Sequence, residues 1–104
     1  MVFSFKEAAE IICDTLKSKY PQIERAFVFG SFAEGSQTLE SDLDILVELN
    51  TSMGLEFIEM IQDIEKAAGM PVDLLTVRQA NELEKKFGYN ILKKARPIYE
   101  RTKN

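Results

Sequence analysis

Leu43, Ile45, Val47 and Leu49 alternate with Asp44, Leu46 and Glu48. A period of two puts the first four side chains on one face of a β-strand, and that face has to be covered. The rest of the chain supplies the cover. Arg25 to Phe29 is an apolar run closed by Gly30-Ser31 and reads as a buried strand, and Val72 to Val77 reads as a third. Ser4 to Lys19 carries Ala8, Ile11, Ile12, Thr15 and Leu16 at helical spacing. Ser4 with Glu7 fits a capping box, and Tyr20-Pro21 stops the helix. Gly54 to Ala68 is a second helix with Phe57, Ile61, Ile64 and Ala68 inward, ended by Gly69 and Pro71. Ala80, Leu83, Phe87, Ile91 and Ala95 mark a last helix, loosened near Gly88, and Pro97 to Glu100 suits a short edge strand. The expected fold is α/β (α+β): a small mixed β-sheet flanked by helices. With 104 residues and no linker or repeat, one domain over residues 1–104 is expected.

Composition narrows the chemistry. The absence of histidine removes His-based acid–base catalysis, Ser–His and Cys–His nucleophile systems and His-ligated metals. A single cysteine, Cys13, excludes an internal disulfide and Cys-pair zinc or iron–sulfur sites. Seventeen acids against thirteen bases, a net charge of −4, argue against direct binding to a nucleic-acid backbone. No apolar run reaches the ~18 residues of a membrane span, and Glu7 interrupts what a signal peptide would keep apolar. The expected setting is a reducing cytoplasm. Catalysis, if any, rests on carboxylates, hydroxyls, backbone groups or a hard cation.

Gly30-Ser31-Phe32-Ala33-Glu34-Gly35, followed by Ser41-Asp42-Leu43-Asp44, is the segment that packing alone does not explain. A strand handing over to a turn or short helix at Gly30 points N–H groups outward, where they can hold phosphate oxygens. Taken alone, it reads first as a tight turn that needs a glycine. A P-loop is excluded, because Ser36-Gln37 stand where Lys and Ser/Thr would follow Gly35. Asp42 and Asp44 leave one face of their strand, close enough to disfavour double ionisation without a cation between them. A solvated strand face is the other reading; Glu48 shares their parity and supports it, whereas Leu46 weakens it. Asp73 tips the balance. It interrupts the apolar run Val72 to Val77, where a charge is costly unless paired or metal-bound. On neighbouring strands the three carboxylates converge as a two-metal site for phosphoryl or nucleotidyl transfer requires.

Gly30-Ser31, ten intervening residues and then Asp42-Leu43-Asp44 resembles the G-S-x10-D-x-D signature of the minimal nucleotidyltransferases, within the DNA polymerase beta nucleotidyltransferase superfamily. Asp73 matches the family's third acid, and the resemblance covers nearly the whole chain. It implies the nucleotidyltransferase fold, with Gly30, Ser31 and Ser41 binding the nucleotide and Asp42, Asp44 and Asp73 as catalytic, metal-binding residues. It further implies Mg²⁺ as cofactor in a two-metal site, ATP as substrate, and transfer of AMP to a partner's hydroxyl. The implied partner is a HEPN-type toxin with this chain as its antitoxin; a homo- or hetero-oligomer is left open. Glu34 departs from the pattern, standing where the family often has Arg. That departure favours the alternative of a catalytically weak or inactive antitoxin that acts by binding alone.

Other residues have mainly structural readings. Phe3, Phe5, Phe27, Phe29, Phe57 and Phe87 are expected in the core, and Phe32 exposed beside the phosphate turn as a candidate nucleotide or partner contact. Lys85-Lys86 and Lys93-Lys94 read as a solvated helix face on which a partner toxin could dock, Arg78 as a candidate phosphate contact, and Cys13 as a buried small hydrophobe.

Overall fold

The computed structural model describes residues 1–101. Residues 102–104, which the single-domain expectation includes, lie outside the described residues. Helix α1 (Phe5–Lys19) starts at Ser4, whose hydroxyl accepts the Glu7 N–H at 3.1 Å. The Glu7 carboxylate completes the cap by accepting from the Ser4 hydroxyl and the Phe3 N–H. Strand β1 (Ile23–Phe29) runs into a short helix α2 (Gly30–Glu34), and β2 (Leu43–Leu49) follows. Then come α3 (Glu56–Ala68), β3 (Val72–Thr76), α4 (Val77–Phe87), α5 (Ile91–Lys94) and β4 (Arg96–Glu100).

The sheet order is β3-β2-β1-β4, with β1 antiparallel to both β2 and β4, and β2 parallel to β3. This mixed sheet flanked by helices matches the expected class. On one face, Leu43, Ile45 and Val47 of β2 and Ala26 and Val28 of β1 pack with Ala8, Ile12 and Leu16 of α1 and Met60, Ile64 and Ala68 of α3. A fully buried Ile or Leu contributes about 1.5–3 kcal/mol, so this face supplies most of the stability. The α1 and α3 ends are also clamped: Lys19 bridges Glu59 at 2.8 Å and Asp63 at 2.9 Å, and Tyr20 donates to Asp63. The Tyr20 hydroxyl and then the Lys19 ammonium hold the Asp63 carboxyl below its ordinary range.

The other face is covered in part. Residues of opposite parity, Phe27 and Phe29 on β1, Leu46 on β2 and Leu75 on β3, stand outside the main core cluster. Leu46 and Ala80 of α4 are fully buried there, because α4 lies against β2 and β3. Among the described residues, no helix is long and apolar enough to cross a membrane.

Several sequence expectations need correction. The last helix is two: Gly88, at φ +73°, caps α4 in the left-handed conformation, and α5 is a separate turn that ends before Ala95. Val77 belongs to α4 rather than to the third strand, since Thr76 and Gln79 form a reciprocal capping box. Phe3 and Phe87 are 53% and 63% exposed, not core; Phe87 instead stacks on Tyr89. Phe32 is 2% exposed: α2 turns it into the core, so it is not an exposed contact. Cys13 is half-buried, with its thiol 3.0 Å from the Ile98 carbonyl.

Candidate active site

Asp44 sits at the second position of β2, with Asp73 of β3 as its register partner. Register partners on parallel strands project to the same side, so these two carboxylates stand side by side on the partly covered face. The Leu43 N–H to Pro71 carbonyl bond, 3.0 Å, ties the two strands at this end. Asp42 lies just ahead of β2, near enough for its negative charge to act on Asp44. Across the sheet, Phe29 pairs with Asp44. Gly30 follows at φ +68°, so close that a Cβ there would overlap Asp44 Oδ2 and stand 3.0 Å from its Cγ. Position 30 therefore needs glycine twice over, for its backbone angle and for the space.

Asp44 is half-buried, whereas Asp42 and Asp73 are exposed. Burial first, then the negative charges of Asp73 and Asp42, push the Asp44 carboxyl from 3.8 up to about 6. Among the described residues, none of the three acids makes a hydrogen bond or ion pair. A carboxylate in this position lacks the partner that a structural acid ordinarily has. The expectation that Asp73 is costly within an apolar strand is corrected: β3 is the sheet's edge and Asp73 faces water. The desolvated acid is Asp44, next strand in.

The residues present fit a hard divalent cation. Among the described residues, no group of three His, Cys, Asp or Glu side chains is placed so that the three together could hold a metal ion, so Asp42, Asp44 and Asp73 do not form the three-carboxylate cluster expected from the sequence. Mg²⁺ does not need one, since it takes one or two carboxylates and fills its remaining positions with water and substrate phosphates. The half-buried Asp44, with negative neighbours and no cation, is the group whose ionised form such an ion would favour.

The family described as "Polymerase beta, Nucleotidyltransferase" matches residues 10–104. The chain belongs to the polymerase beta nucleotidyltransferase family. Over 64 residues it is 45% identical to a candidate protein adenylyltransferase of Methanocaldococcus jannaschii, an alignment covering 59% of this chain and 63% of that protein. The chain thus spans less than two thirds of that relative's length. A chain in the crystal structure of a toxin-antitoxin with AMP-PNP superposes with a TM-score of 0.74 at 22% identity, covering 90% of this chain and 74% of the other. A chain from a tri-AMPylated Shewanella oneidensis HEPN toxin in complex with an MNT antitoxin superposes at 0.69, with 18% identity and coverage of 93% and 73%. At these identities, the superpositions show that this family's fold is shared.

Other residues singled out in the sequence fall as follows. Ser31, half-buried, opens α2 beside Gly30, and its hydroxyl has no partner among the described residues. The Ser41 hydroxyl accepts the Thr38 N–H at 2.8 Å and so holds the turn that leads into Asp42. Arg78 is not near the acids. It lies beyond the opposite end of β3, paired with Glu82 at 3.9 Å and lining a separate cavity with Glu48. Glu34 is exposed but lines a cavity of about 290 Å³ with Phe29 and Gly30. The far wall of that cavity includes Tyr89, Asn90 and Lys94, of which the sequence singles out only Lys94, as helix surface. The break at Gly88, which sets α5 over α2, was the available signal.

Proposed function

We propose that this protein is a Mg²⁺-dependent adenylyltransferase acting on a partner protein. In this reading it is a single-domain cytoplasmic antitoxin that transfers AMP from ATP to a hydroxyl of a HEPN-type toxin. The names of its relatives and neighbours support the class of reaction and partner. The observation that carries it is the in-register pair Asp44–Asp73, joined by Asp42 and abutting Gly30, with no cation among the described residues to balance it.

Asp42 and Asp44 would hold the metal, with Asp73 at its edge. When bound, Mg²⁺ supplies charge neutralisation at the triphosphate and at the pyrophosphate that leaves. Gly30 lets phosphate oxygens approach the backbone, and Ser31 offers its N–H and hydroxyl as donors. Asp73, exposed and beside Asp44, accepts the proton of the incoming hydroxyl. The hydroxyl oxygen then bonds to the α-phosphorus as the bond from that phosphorus to the bridging oxygen breaks, and the electron pair departs with pyrophosphate. Ser41 keeps Asp42 in place through its turn.

With α-labelled ATP, Mg²⁺ and the partner toxin, the wild-type protein labels the toxin. Asp44→Asn lowers that labelling at least ~1,000-fold, the scale of losing a metal's several kcal/mol of transition-state stabilisation. Undiminished labelling by Asp44→Asn would overturn the assignment. Glu34 on the cavity wall favours a second reading, neutralisation by binding alone. Neutralisation that survives Asp42→Asn/Asp44→Asn, with no label transferred by the wild type, would establish it.

A further inference from the structure

The cavity between α2 and α5 has no role in the transfer reaction above beyond its shared residue, Gly30. Its volume is about 290 Å³. That is at the lower end of the ~300–1,000 Å³ of sites that enclose a small ligand, which leaves room for the phosphate part of a nucleotide. Gly30 joins it to the acids, because the Gly30 backbone lies against the Asp44 carboxylate. The part of a nucleotide next to a cation held at Asp44 is its phosphate chain.

Electrostatics then selects one residue. A triphosphate entering beside Asp42, Asp44 and Asp73 meets a fourth acid, Glu34, on the α2 wall. Lys94, at the end of α5 on the opposite wall, is the cationic residue lining this cavity. It is exposed and, among the described residues, has no ion pair. The neighbouring Arg96 is already engaged, its guanidinium 3.7 Å over the Phe5 ring and hydrogen-bonded to the Ala33 carbonyl at 3.4 Å. An ammonium on a flexible stem suits the outer phosphates of a chain whose α-phosphate lies at the acids.

We propose that Lys94 is a phosphate-binding residue: the α2–α5 cavity receives the β- and γ-phosphates of a nucleoside triphosphate, and Lys94 offsets the repulsion from Glu34. This rests on reading the acidic face as a nucleotide site. It makes the end of α5, where the sequence offers only a solvated helix face, part of the substrate site.

Calorimetric titration with AMP-PNP·Mg²⁺ and, separately, with AMP tests it on the full-length protein. Lys94→Ala weakens AMP-PNP about tenfold and leaves AMP within about twofold, while Lys94→Arg stays close to wild type. Glu34→Arg placed in the Lys94→Ala background restores AMP-PNP affinity by moving the cation to the facing wall. Unchanged AMP-PNP affinity in Lys94→Ala overturns the proposal, as does an equal loss for AMP, which would place the lysine at the nucleoside. A wild-type protein that binds AMP-PNP in this pattern but never labels a partner sinks the transfer reaction and leaves Lys94 standing. One that binds neither nucleotide sinks both.

Discussion

The two faces of the sheet are built to opposite rules, and strand β2 contributes to both. Ile45 and Asp44 are adjacent in sequence. Ile45 is completely buried in the cluster formed with α1 and α3. Asp44, pointing the other way, is desolvated without a partner and flanked by two more acids. The closed face joins apolar surface to apolar surface and ties its rim with Lys19, Tyr20 and Asp63. The open face gathers like charge, which disfavours the folded state at neutral pH. The contrast teaches that stability is concentrated on one side, so that the other can tolerate a cluster of like charge.

Neighbouring substitutions sharpen this. Ile45→Ala removes a fully buried side chain from the closed face and is expected to cost ~2–5 kcal/mol in chemical denaturation. A loss below 1 kcal/mol would mean that the closed face is not where stability resides. Gly30→Ala, at the junction of the two regions, is expected to cost about 1–2 kcal/mol from the left-handed backbone alone. It also displaces the Asp44 carboxylate, so metal binding weakens beyond what that destabilisation accounts for. Stability lost with metal affinity intact would show that Gly30 serves the turn only.

The smallest effect concerns pH. Because the folded protein holds the Asp44 proton up to about 6, against an ordinary 3.8, the folded state binds more protons than the unfolded state between those values. Its contribution to the stability of the metal-free protein is therefore present below pH 4 and lost as pH rises through 6. Asp44→Asn keeps no such dependence. The melting temperatures of the two proteins are expected to diverge as pH rises from 4 to 7, with Asp44→Asn the more stable at pH 7. Parallel curves would deny that burial and the neighbouring acids raise the Asp44 carboxyl.

Much of this was legible in the sequence where a residue's role is local or periodic. The alternation in 43–49 predicts β2 and its inward face, and Gly69 predicts the end of α3. Asp42, Asp44 and Asp73 stand out as acids among hydrophobes, and the structure places the last two in register. Which acid is desolvated was not legible, because that depends on strand order: β3 falls at the edge and β2 inside. Thr76-Val77-Arg78-Gln79 has the pattern of a capping box for the start of α4, but it overlaps the end of an apolar run that itself reads as strand. Phe32 and Phe87 were misplaced in opposite directions because aromatic type does not report the direction of a short helix or of a helix end. Lys94 reads from the sequence as part of a solvated helix face, since its position over α2 follows from the break at Gly88 and a tertiary contact.

The central claim is that the open face takes a divalent cation together with a nucleotide. Electron paramagnetic resonance of Mn²⁺, titrated into the wild-type and Asp44→Asn proteins with and without AMP-PNP, tests it most directly. Binding of Mn²⁺ that tightens with AMP-PNP in the wild type and disappears in Asp44→Asn is the predicted result. Identical Mn²⁺ binding by the two proteins would contradict it.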